Sequence, residues 1–213
     1  MPVLAIVFDF NGTLSDDEPI LCEIFMRLFA EHGKPMSAQE YFDRLAGLSD
    51  PEIVRAWLGD DHPDVQTVID ERIERYCNAV ADGYSVHEHV RAAVRFAASR
   101  VPLAICSGAA RAEIEPVVEA AGLAGCFRTI VSSDEVVHGK PHPEGYAKAL
   151  AELRVDPGDS LVVEDTEAGI ASARAAGVGC ILALRTTLDP HRLAGADELI
   201  DRLDLDVMRR FLL

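Results

Sequence analysis

The sequence predicts an α/β fold, a doubly wound parallel sheet, with a helical segment inserted after the first strand. Short apolar runs alternate with helical patterns over most of the chain, and the runs are continuously apolar, as is typical of strands covered on both faces. The interval between the first two runs contains helical patterns and no β-run. With 213 residues, 49% of them hydrophobic, the chain is long enough to bury such a core.

Five apolar, β-rich segments are predicted to be strands of this sheet, and helical patterns lie between them. The strands are VLAIVF (3–8), PLAIC (102–106), RTIVSS (128–133), SLVVE (160–164) and GCILAL (179–184). The helices are expected at 87–99, 112–121, 144–153 and 167–176, and glycines follow the second and fourth of them, as at many helix ends.

The inserted segment is predicted to be all-helical. Amphipathic patterns at 19–31, 38–45, 51–58 and 65–81 are interrupted by HGKPMS, GLSDP and GDDHPD, which are typical of turns. We therefore predict a core domain formed by 1–15 and 84–213, and a helical cap domain formed by 16–83.

Composition limits the partners. Twenty Lys and Arg against 36 Asp and Glu give a net charge of −16, which repels nucleic acid and anionic membranes, so neither is an expected partner. The five cysteines are scattered and never spaced as C-x-x-C, which argues against a disulfide framework or a structural zinc site. The N-terminus lacks the basic region of a signal peptide, and no apolar run is long enough for a bilayer. We expect a cytoplasmic monomer or homodimer.

Candidate functional residues fall where the predicted strands end. Asp9 follows the first strand, Ser107 the second, and Glu164 and Asp165 the fourth, while Lys140 lies in the loop after the third. Each alone has an ordinary structural explanation, as a turn, helix-cap or loop residue. Because sites in open α/β sheets gather at the carboxyl ends of strands, we expect these side chains to meet.

Together these residues indicate phosphoryl transfer. Asp9 and Asp165 offer oxygen ligands suited to Mg²⁺. The ion and Lys140 would neutralise phosphoryl oxygens, Ser107 would donate a hydrogen bond to one, and Asp9 would attack phosphorus.

Four motifs, in order over residues 7–177, resemble those of a haloacid dehalogenase-superfamily phosphatase. They are FDFNGTLSDDEP, ICSGA, K-P-H-P at 140–143 and VVEDTEAGIASARAAG. The chain is similar to the helical-cap branch, subfamily I, which includes phosphoglycolate phosphatase-like and β-phosphoglucomutase-like members. The resemblance implies a Rossmann-like core, Mg²⁺ and a small phosphorylated metabolite as substrate.

The resemblance also implies residue roles. Asp9 would be the nucleophile, and Asp165 a Mg²⁺ ligand helped by Glu164 and by the main-chain carbonyl of Asn11. Ser107 and Lys140 would hold the phosphoryl group. The substrate-binding candidates are Gly108, Ala109 and Arg111.

Asn11 departs from the family motif, which has Asp there as general acid and base. Asn supplies the main-chain carbonyl for the ion as well as Asp does. Its amide side chain, however, cannot exchange a proton near neutral pH, so slow dephosphorylation of Asp9 is expected. Asn11 is explained about equally well by an introduced substitution or by a natural, slow enzyme. A non-catalytic phosphate-ligand binder ranks behind both, because every other catalytic position is intact. A metal-independent dehalogenase also lacks the second acid, but it would leave Glu164 and Asp165 unexplained.

The cap segment RLAGLSDPEIV (44–54) resembles that of the two named groups, with Asp50 where mutases carry a basic residue. A sugar-phosphate mutase is therefore disfavoured. Arg44 and Arg55 are candidates for contacts with the rest of the substrate. Trp57 is expected in the packing of the cap. Six of the histidines show no ligand spacing and are expected in loops or on the surface: His32, His62, His87, His89, His138 and His142.

Overall fold

A six-stranded, all-parallel sheet with strand order β3-β2-β1-β4-β5-β6 forms the centre of the chain. The structure, a computed structural model, describes residues 2–46, 48–185 and 190–213. The strands are Ala5–Phe8 (β1), Leu103–Cys106 (β2), Phe127–Val131 (β3), Ser160–Glu164 (β4), Cys180–Leu184 (β5) and Glu198–Ile200 (β6). The predicted fold class is confirmed. Strand β6 was not predicted, because three residues are too few to show a pattern.

Nine α-helices connect or flank the strands in the described part of the chain. They are Glu18–Glu31 (α1), Ala38–Arg44 (α2), Asp50–Leu58 (α3), Val65–Ala79 (α4), Glu88–Ala98 (α5), Arg111–Ala120 (α6), Glu144–Leu153 (α7), Glu167–Ala175 (α8) and Leu205–Leu212 (α9). Helix α9 was not predicted. It begins after Asp204, whose side chain accepts from the amides of Asp206 and Val207 as an N-cap. Within the described residues, no helix is both long and apolar enough to cross a membrane.

The chain divides into two compact units. One comprises Met1–Asp16 with Gly83–Leu213, and the other is Asp17–Asp82. The predicted cap, 16–83, differs from the second unit by one residue at each end. The first unit contains the sheet with α5–α9, and the second contains α1–α4.

The sheet is covered on both faces, which explains the continuous apolarity of its strands. All four residues of β1 are fully buried. Ala5 and Val7 pack in a cluster with Tyr146 and Leu150 of α7 and with Ile170 of α8. Because side chains alternate along a strand, Ile6 and Phe8 lie on the opposite face, and they are equally buried.

The register between β1 and β4 determines which residues meet at the carboxyl edge. Phe8 pairs with Val163, and the amide of Asp9 donates to the carbonyl of Val163 at 2.9 Å. Asp9 follows Phe8 and Glu164 follows Val163, so this pairing brings Asp9 beside Glu164. The chain builds outward from β1 on one side and from β4 on the other, so this junction is the topological switch point.

The unit Asp17–Asp82 has its own aromatic core. The ring of Phe25 lies 5.4 Å from that of Phe29 and 6.0 Å from that of Tyr41, and Trp57 stacks on Phe29 at 6.2 Å. Trp57 is thus a packing residue, as predicted, and its indole donates to the carbonyl of Lys34.

Asp50, at the start of α3, forms an ion pair with the buried Arg72 of α4. The residue that departs from the mutase pattern therefore joins two helices of this unit. Gly47, in the cap segment that resembles the named groups, lies outside the described residues.

Candidate active site

Lys140 links two buried carboxylates at the carboxyl edge of the sheet. Its Nζ lies 2.5 Å from Oδ1 of Asp9 and 2.5 Å from Oε1 of Glu164. Asp9, Glu164 and Asp165 each place one carboxylate oxygen within 4.8 Å of the others. The structure thus brings together four of the residues singled out from the sequence, drawn from three separate segments of the chain.

Glu164 is fully buried and is held by five hydrogen-bond donors. Its Oε1 accepts from Lys140 and from the hydroxyl of Tyr146 at 2.8 Å. Its Oε2 accepts from the amides of Asp165 and Thr166 and from the Thr166 hydroxyl. A carboxylate offers about four lone-pair sites. These donors use most of that capacity, so Glu164 anchors Lys140 and could assist Asp9 and Asp165 at an ion rather than hold one alone.

Gly169 makes room for this carboxylate. A Cβ built on Gly169 would lie 1.7 Å from Oε1 of Glu164, far inside any possible contact. The amide of Gly169 donates to the hydroxyl of Thr166, the N-cap of α8. The first turn of α8 therefore approaches the site closely because its third residue has no side chain.

Asp165, the residue after β4, faces the loop that follows β1. Its Oδ1 accepts from the hydroxyl of Thr13 at 3.2 Å. Gly12 has φ of +75°, and a Cβ there would lie 2.2 Å from Oδ2 of Asp165. Glycine is thus required both by the backbone conformation and by the close approach of the carboxylate.

The two carboxylates that share Lys140 have pKa values shifted in opposite directions. Burial raises the pKa of Asp9 to about 7; the charge of Lys140 opposes this rise and that of Glu164 adds to it. Burial also disfavours ionisation of Glu164, but Lys140 and the other donors hold its pKa below its usual value. Burial likewise opposes the charge on Lys140, yet Asp9 and Glu164 raise the pKa of Lys140 above its usual value. Glu164 and Lys140 are therefore the firmly ionised pair.

The segment after β2 lies beside the end of β1, its neighbour in the sheet. Ser107 is buried, its amide donates to the carbonyl of Val131, and its Oγ accepts from the amide of Ala109 at 3.1 Å. Its hydroxyl proton can still be donated. Gly108 is exposed and Ala109 is nearly buried. Burial raises the pKa of the preceding residue, Cys106, to about 12, with Lys140, Asp9 and Glu164 near enough to influence it.

Arg111, predicted to bind substrate, is engaged elsewhere. Its guanidinium bonds Glu115, Glu135 and the carbonyl of Ile130 at 2.6–2.8 Å. These contacts tie the first turn of α6 to the end of β3. A contact with substrate would require Arg111 to leave them.

Asn11 lies in the tight loop after β1 and is partly exposed. It forms an isolated β-bridge with Ser15, and the amide of the adjacent Gly12 donates to the carbonyl of Ser15 at 2.8 Å. The loop is thus held by backbone contacts when the side chain at position 11 is the amide of Asn.

Three supporting residues were missed from the sequence: Thr13, Tyr146 and Gly169. Thr13 and Gly169 stand inside the quoted motifs, so their position was a usable signal. Tyr146 lies in an apolar helix pattern, and only the fold shows that its hydroxyl reaches Glu164. Burial and the neighbouring Glu164 raise the pKa of Tyr146, which keeps it a hydrogen-bond donor.

The oxygen ligands that these carboxylates offer fit a hard divalent cation. Asp9, Glu164 and Asp165 are all buried, and the ammonium group of Lys140 pairs with two of these three carboxylates, those of Asp9 and Glu164. Like charges gathered out of water are costly unless a cation compensates them. Oxygen ligands of this kind suit Mg²⁺.

Comparison with known proteins agrees with this geometry. The sequence profile of a family described as haloacid dehalogenase-like hydrolase matches residues 6–183. Validoxylamine A 7'-phosphate phosphatase from Streptomyces hygroscopicus subsp. limoneus is 31% identical, with 92% of each chain covered. Protein CbbY from Rhodobacter capsulatus is 30% identical, covering 93% of this chain and 90% of that protein.

Among solved structures, a mutant of CbbY from Rhodobacter sphaeroides in complex with xylulose 1,5-bisphosphate is similar, with a TM-score of 0.81 and 27% identity. The match covers 94% of this chain and 95% of that one. The four motifs, the six-stranded sheet and the residues gathered at its carboxyl edge have the same explanation: the chain belongs to the haloacid dehalogenase-like hydrolases.

Proposed function

We propose that the chain is a Mg²⁺-dependent phosphatase that acts on a small phosphate monoester through phosphorylated Asp9. The observation that carries this proposal is the bond from Lys140 to both Asp9 and Glu164 at the carboxyl edge of the sheet. This bond supports the proposal because the carboxylate that we assign as nucleophile lies beside a largely buried cation, as attack on an anionic phosphoryl group requires.

Asp9 and Asp165 are the side chains that we assign to the ion, with the main-chain carbonyl of Asn11 as a third ligand and Glu164 in support. The group formed by Asp9, Glu164 and Asp165 supports this assignment. When bound, Mg²⁺ would neutralise phosphoryl oxygens and so lower the barrier to attack by an anion.

The chemistry of the chain's own residues then follows two steps. The carboxylate of Asp9 attacks phosphorus, the ester P–O bond breaks, and the leaving oxygen takes up a proton from solvent. Water next attacks the phosphorus of the aspartyl phosphate, which releases phosphate and restores Asp9. Lys140 and the hydroxyl of Ser107 would hold phosphoryl oxygens in both steps.

Asn11 limits both steps in this proposal. Its amide can donate a hydrogen bond to the leaving oxygen but cannot give it a proton, and it cannot take one from water. A positioned general acid or base contributes about 10²–10⁴-fold. We therefore expect slow turnover and a long-lived phosphorylated Asp9.

The substrate class that we propose is a phosphorylated sugar or similar polyhydroxylated metabolite. Two similar proteins support this class: one is named as a phosphatase of validoxylamine A 7'-phosphate, and the other, CbbY, was solved in complex with xylulose 1,5-bisphosphate. The CbbY structure contains a mutant protein with its bisphosphate ligand still bound. Asp50, which is paired with Arg72, argues against the mutase branch.

Asn11 also favours a second candidate, a non-catalytic protein that binds a phosphate ligand on this scaffold. Such a protein would keep Lys140, Ser107 and the ion but would need no general acid. It differs from a slow phosphatase in one respect: restoring the acid would produce no turnover.

The test is phosphate release from a panel of small phosphate monoesters, with Mg²⁺ and with EDTA, by this chain and by Asn11→Asp. We expect Asn11→Asp to be about 10²–10⁴-fold faster and EDTA to stop release. Asn11→Ala is the matched control, since it alters the side chain without adding an acid, and it should remain slow. Equal rates for Asn and Asp at position 11 would contradict the assigned limitation. No turnover by either protein would favour the binding protein.

A further inference from the structure

A second group of metal-ligating side chains lies outside the buried carboxylates. We propose that His138, His142 and Glu144 form a site for Zn²⁺ or a similar borderline divalent ion. Each residue offers one ligand atom, and these atoms lie within 4.8 Å of one another. Contrary to the expectation from their spacing, the fold brings the two histidines together.

The distances fit one small ion. Nδ1 of His138 lies 3.1 Å from Oε2 of Glu144, and Nδ1 of His142 lies 3.9 Å from the same oxygen. Ligand atoms of a tetrahedral Zn²⁺ bound at about 2.0–2.2 Å are roughly 3–3.5 Å apart. The two imidazole rings are 4.6 Å apart at their centroids. An ion would therefore need only small side-chain movements, and it would replace the long hydrogen bond that Nδ1 of His142 accepts from the amide of Glu144 at 3.3 Å.

The carboxylate of this site is already fixed. Oε1 of Glu144 accepts from the amide of Val137 at 2.8 Å, and Oε2 accepts from the amide of His138 at 3.0 Å. The backbone at His142 is held as well, since its carbonyl accepts from the hydroxyl of Ser172 at 2.7 Å. Ordering these groups costs little when the ion binds, because the fold has already ordered them.

The ligand chemistry selects the ion. Imidazole nitrogen suits Zn²⁺, Co²⁺, Ni²⁺ and Cu²⁺, whereas carboxylate and water suit Mg²⁺. Two histidines and one carboxylate leave at least one further position for water. The histidine side chains are 63% and 49% exposed, so the ion has direct access from solvent.

The position of the site gives it a mechanical consequence. His138 and His142 stand two residues before and two residues after Lys140, whose ammonium group bonds Asp9 and Glu164. An ion held by both histidines and Glu144 would close this loop with a cross-link. Because it would bind the folded chain preferentially, Tm should rise with the concentration of the ion.

The experiment is calorimetric titration of the full chain with Zn²⁺ in saturating Mg²⁺, which under the proposed function would occupy the buried carboxylates. The chain is compared with His138→Ala/His142→Ala and with the control His87→Ala/His89→Ala. The rings of the control pair are likewise neighbours, with centroids 5.5 Å apart, and His87 also contacts a carboxylate, that of Asp16 at 2.9 Å. We expect the first variant, and not the control, to lose one Zn²⁺. Its affinity for that ion should fall by more than the roughly 10–100-fold seen when a residue that only supports a metal ligand is removed.

A second measurement, the visible absorption of bound Co²⁺, identifies the ligands directly and so does not depend on how many Zn²⁺ ions the chain binds in total. Co²⁺ bound by imidazole gives a visible absorption spectrum, which should be present in the chain and in the control and absent from His138→Ala/His142→Ala. Circular dichroism checks that both variants fold, and His142→Ala alone should already weaken binding. Equal zinc binding by the chain and the His138/His142 variant, or no zinc binding by the chain, would overturn the proposal.

Discussion

The two groups of possible metal ligands, Asp9/Glu164/Asp165 and His138/His142/Glu144, are assembled in opposite ways. The first is buried and joins residues more than 150 positions apart in the chain, which the parallel sheet brings to one edge. The second has two exposed histidines and a partly buried glutamate, and it comes from seven consecutive residues, 138–144, that local hydrogen bonds arrange. Topology thus builds the site assigned to catalysis, and loop geometry builds the other.

The difference has an energetic consequence. Buried carboxylates are tolerated only when cations and donors compensate them, so the first group depends on Lys140 and on the five donors around Glu164. Exposed imidazoles remain in contact with water and need no such support. Changes around the first group should therefore reduce stability, and changes in the second should not.

Lys140→Met should have the largest effect on stability. It leaves Asp9 and Glu164 buried without their shared cation, and removing one partner of a buried ion pair costs about 3–5 kcal/mol. Urea unfolding at pH 7 measures the loss. Lys148→Met is the matched control, since Lys148 of α7 is one-third exposed and bonds the carbonyl of Glu135. Equal losses in the two variants would show that the buried cation has no special weight.

Gly169→Ala should have the next largest effect. The added Cβ collides with Glu164, and an overpacked interior typically costs about 1–3 kcal/mol. Gly125→Ala is the control, because nothing lies within 4 Å of a Cβ at Gly125. It should change the free energy of unfolding by no more than about 1 kcal/mol. If both glycines tolerate alanine alike, the close approach of α8 to Glu164 is not a constraint.

His138→Ala/His142→Ala should have the smallest effect. Both side chains are largely exposed, so the free energy of unfolding without added metal should stay within about 0.5 kcal/mol. With Zn²⁺, Tm of the unaltered chain should rise and Tm of the variant should not. A large loss of stability without metal would mean that the histidines hold the loop by themselves.

The first group could be predicted from the sequence and the second could not, because strand order is visible in the sequence and the conformation of a loop is not. Sites at the ends of parallel strands follow from strand order, so Asp9, Glu164 and Asp165 were recognisable before the fold was known. The H-x₃-H-x-E spacing matches no regular element, since residues 138–143 lie in a loop. Only the hydrogen bonds from the amides of Val137 and His138 to Glu144 turn that spacing into proximity.

The rest of the fold shows the same limit. Strands β1–β5 were located within two residues because their sequences are largely apolar runs, although β3, at the edge of the sheet, is only partly buried. Strand β6 has three residues, which are too few for a pattern. Helix α9 was overlooked although its sequence is amphipathic and Asp204 is a usable N-cap signal. The supporting Tyr146 was invisible for a related reason, because a buried tyrosine in an apolar helix face looks like packing until its hydroxyl is placed.

The most direct test of the account is to look for phosphorylated Asp9. The chain is mixed with Mg²⁺ and the phosphate monoester that Asn11→Asp hydrolyses fastest, quenched in acid, and analysed by intact-mass and peptide mass spectrometry. We expect one phosphoryl group on Asp9 in the unaltered chain, much less in Asn11→Asp because water removes it quickly, and none in Asp9→Asn. A phosphoryl group on another residue, or none on the unaltered chain while Asn11→Asp turns over, would contradict the account.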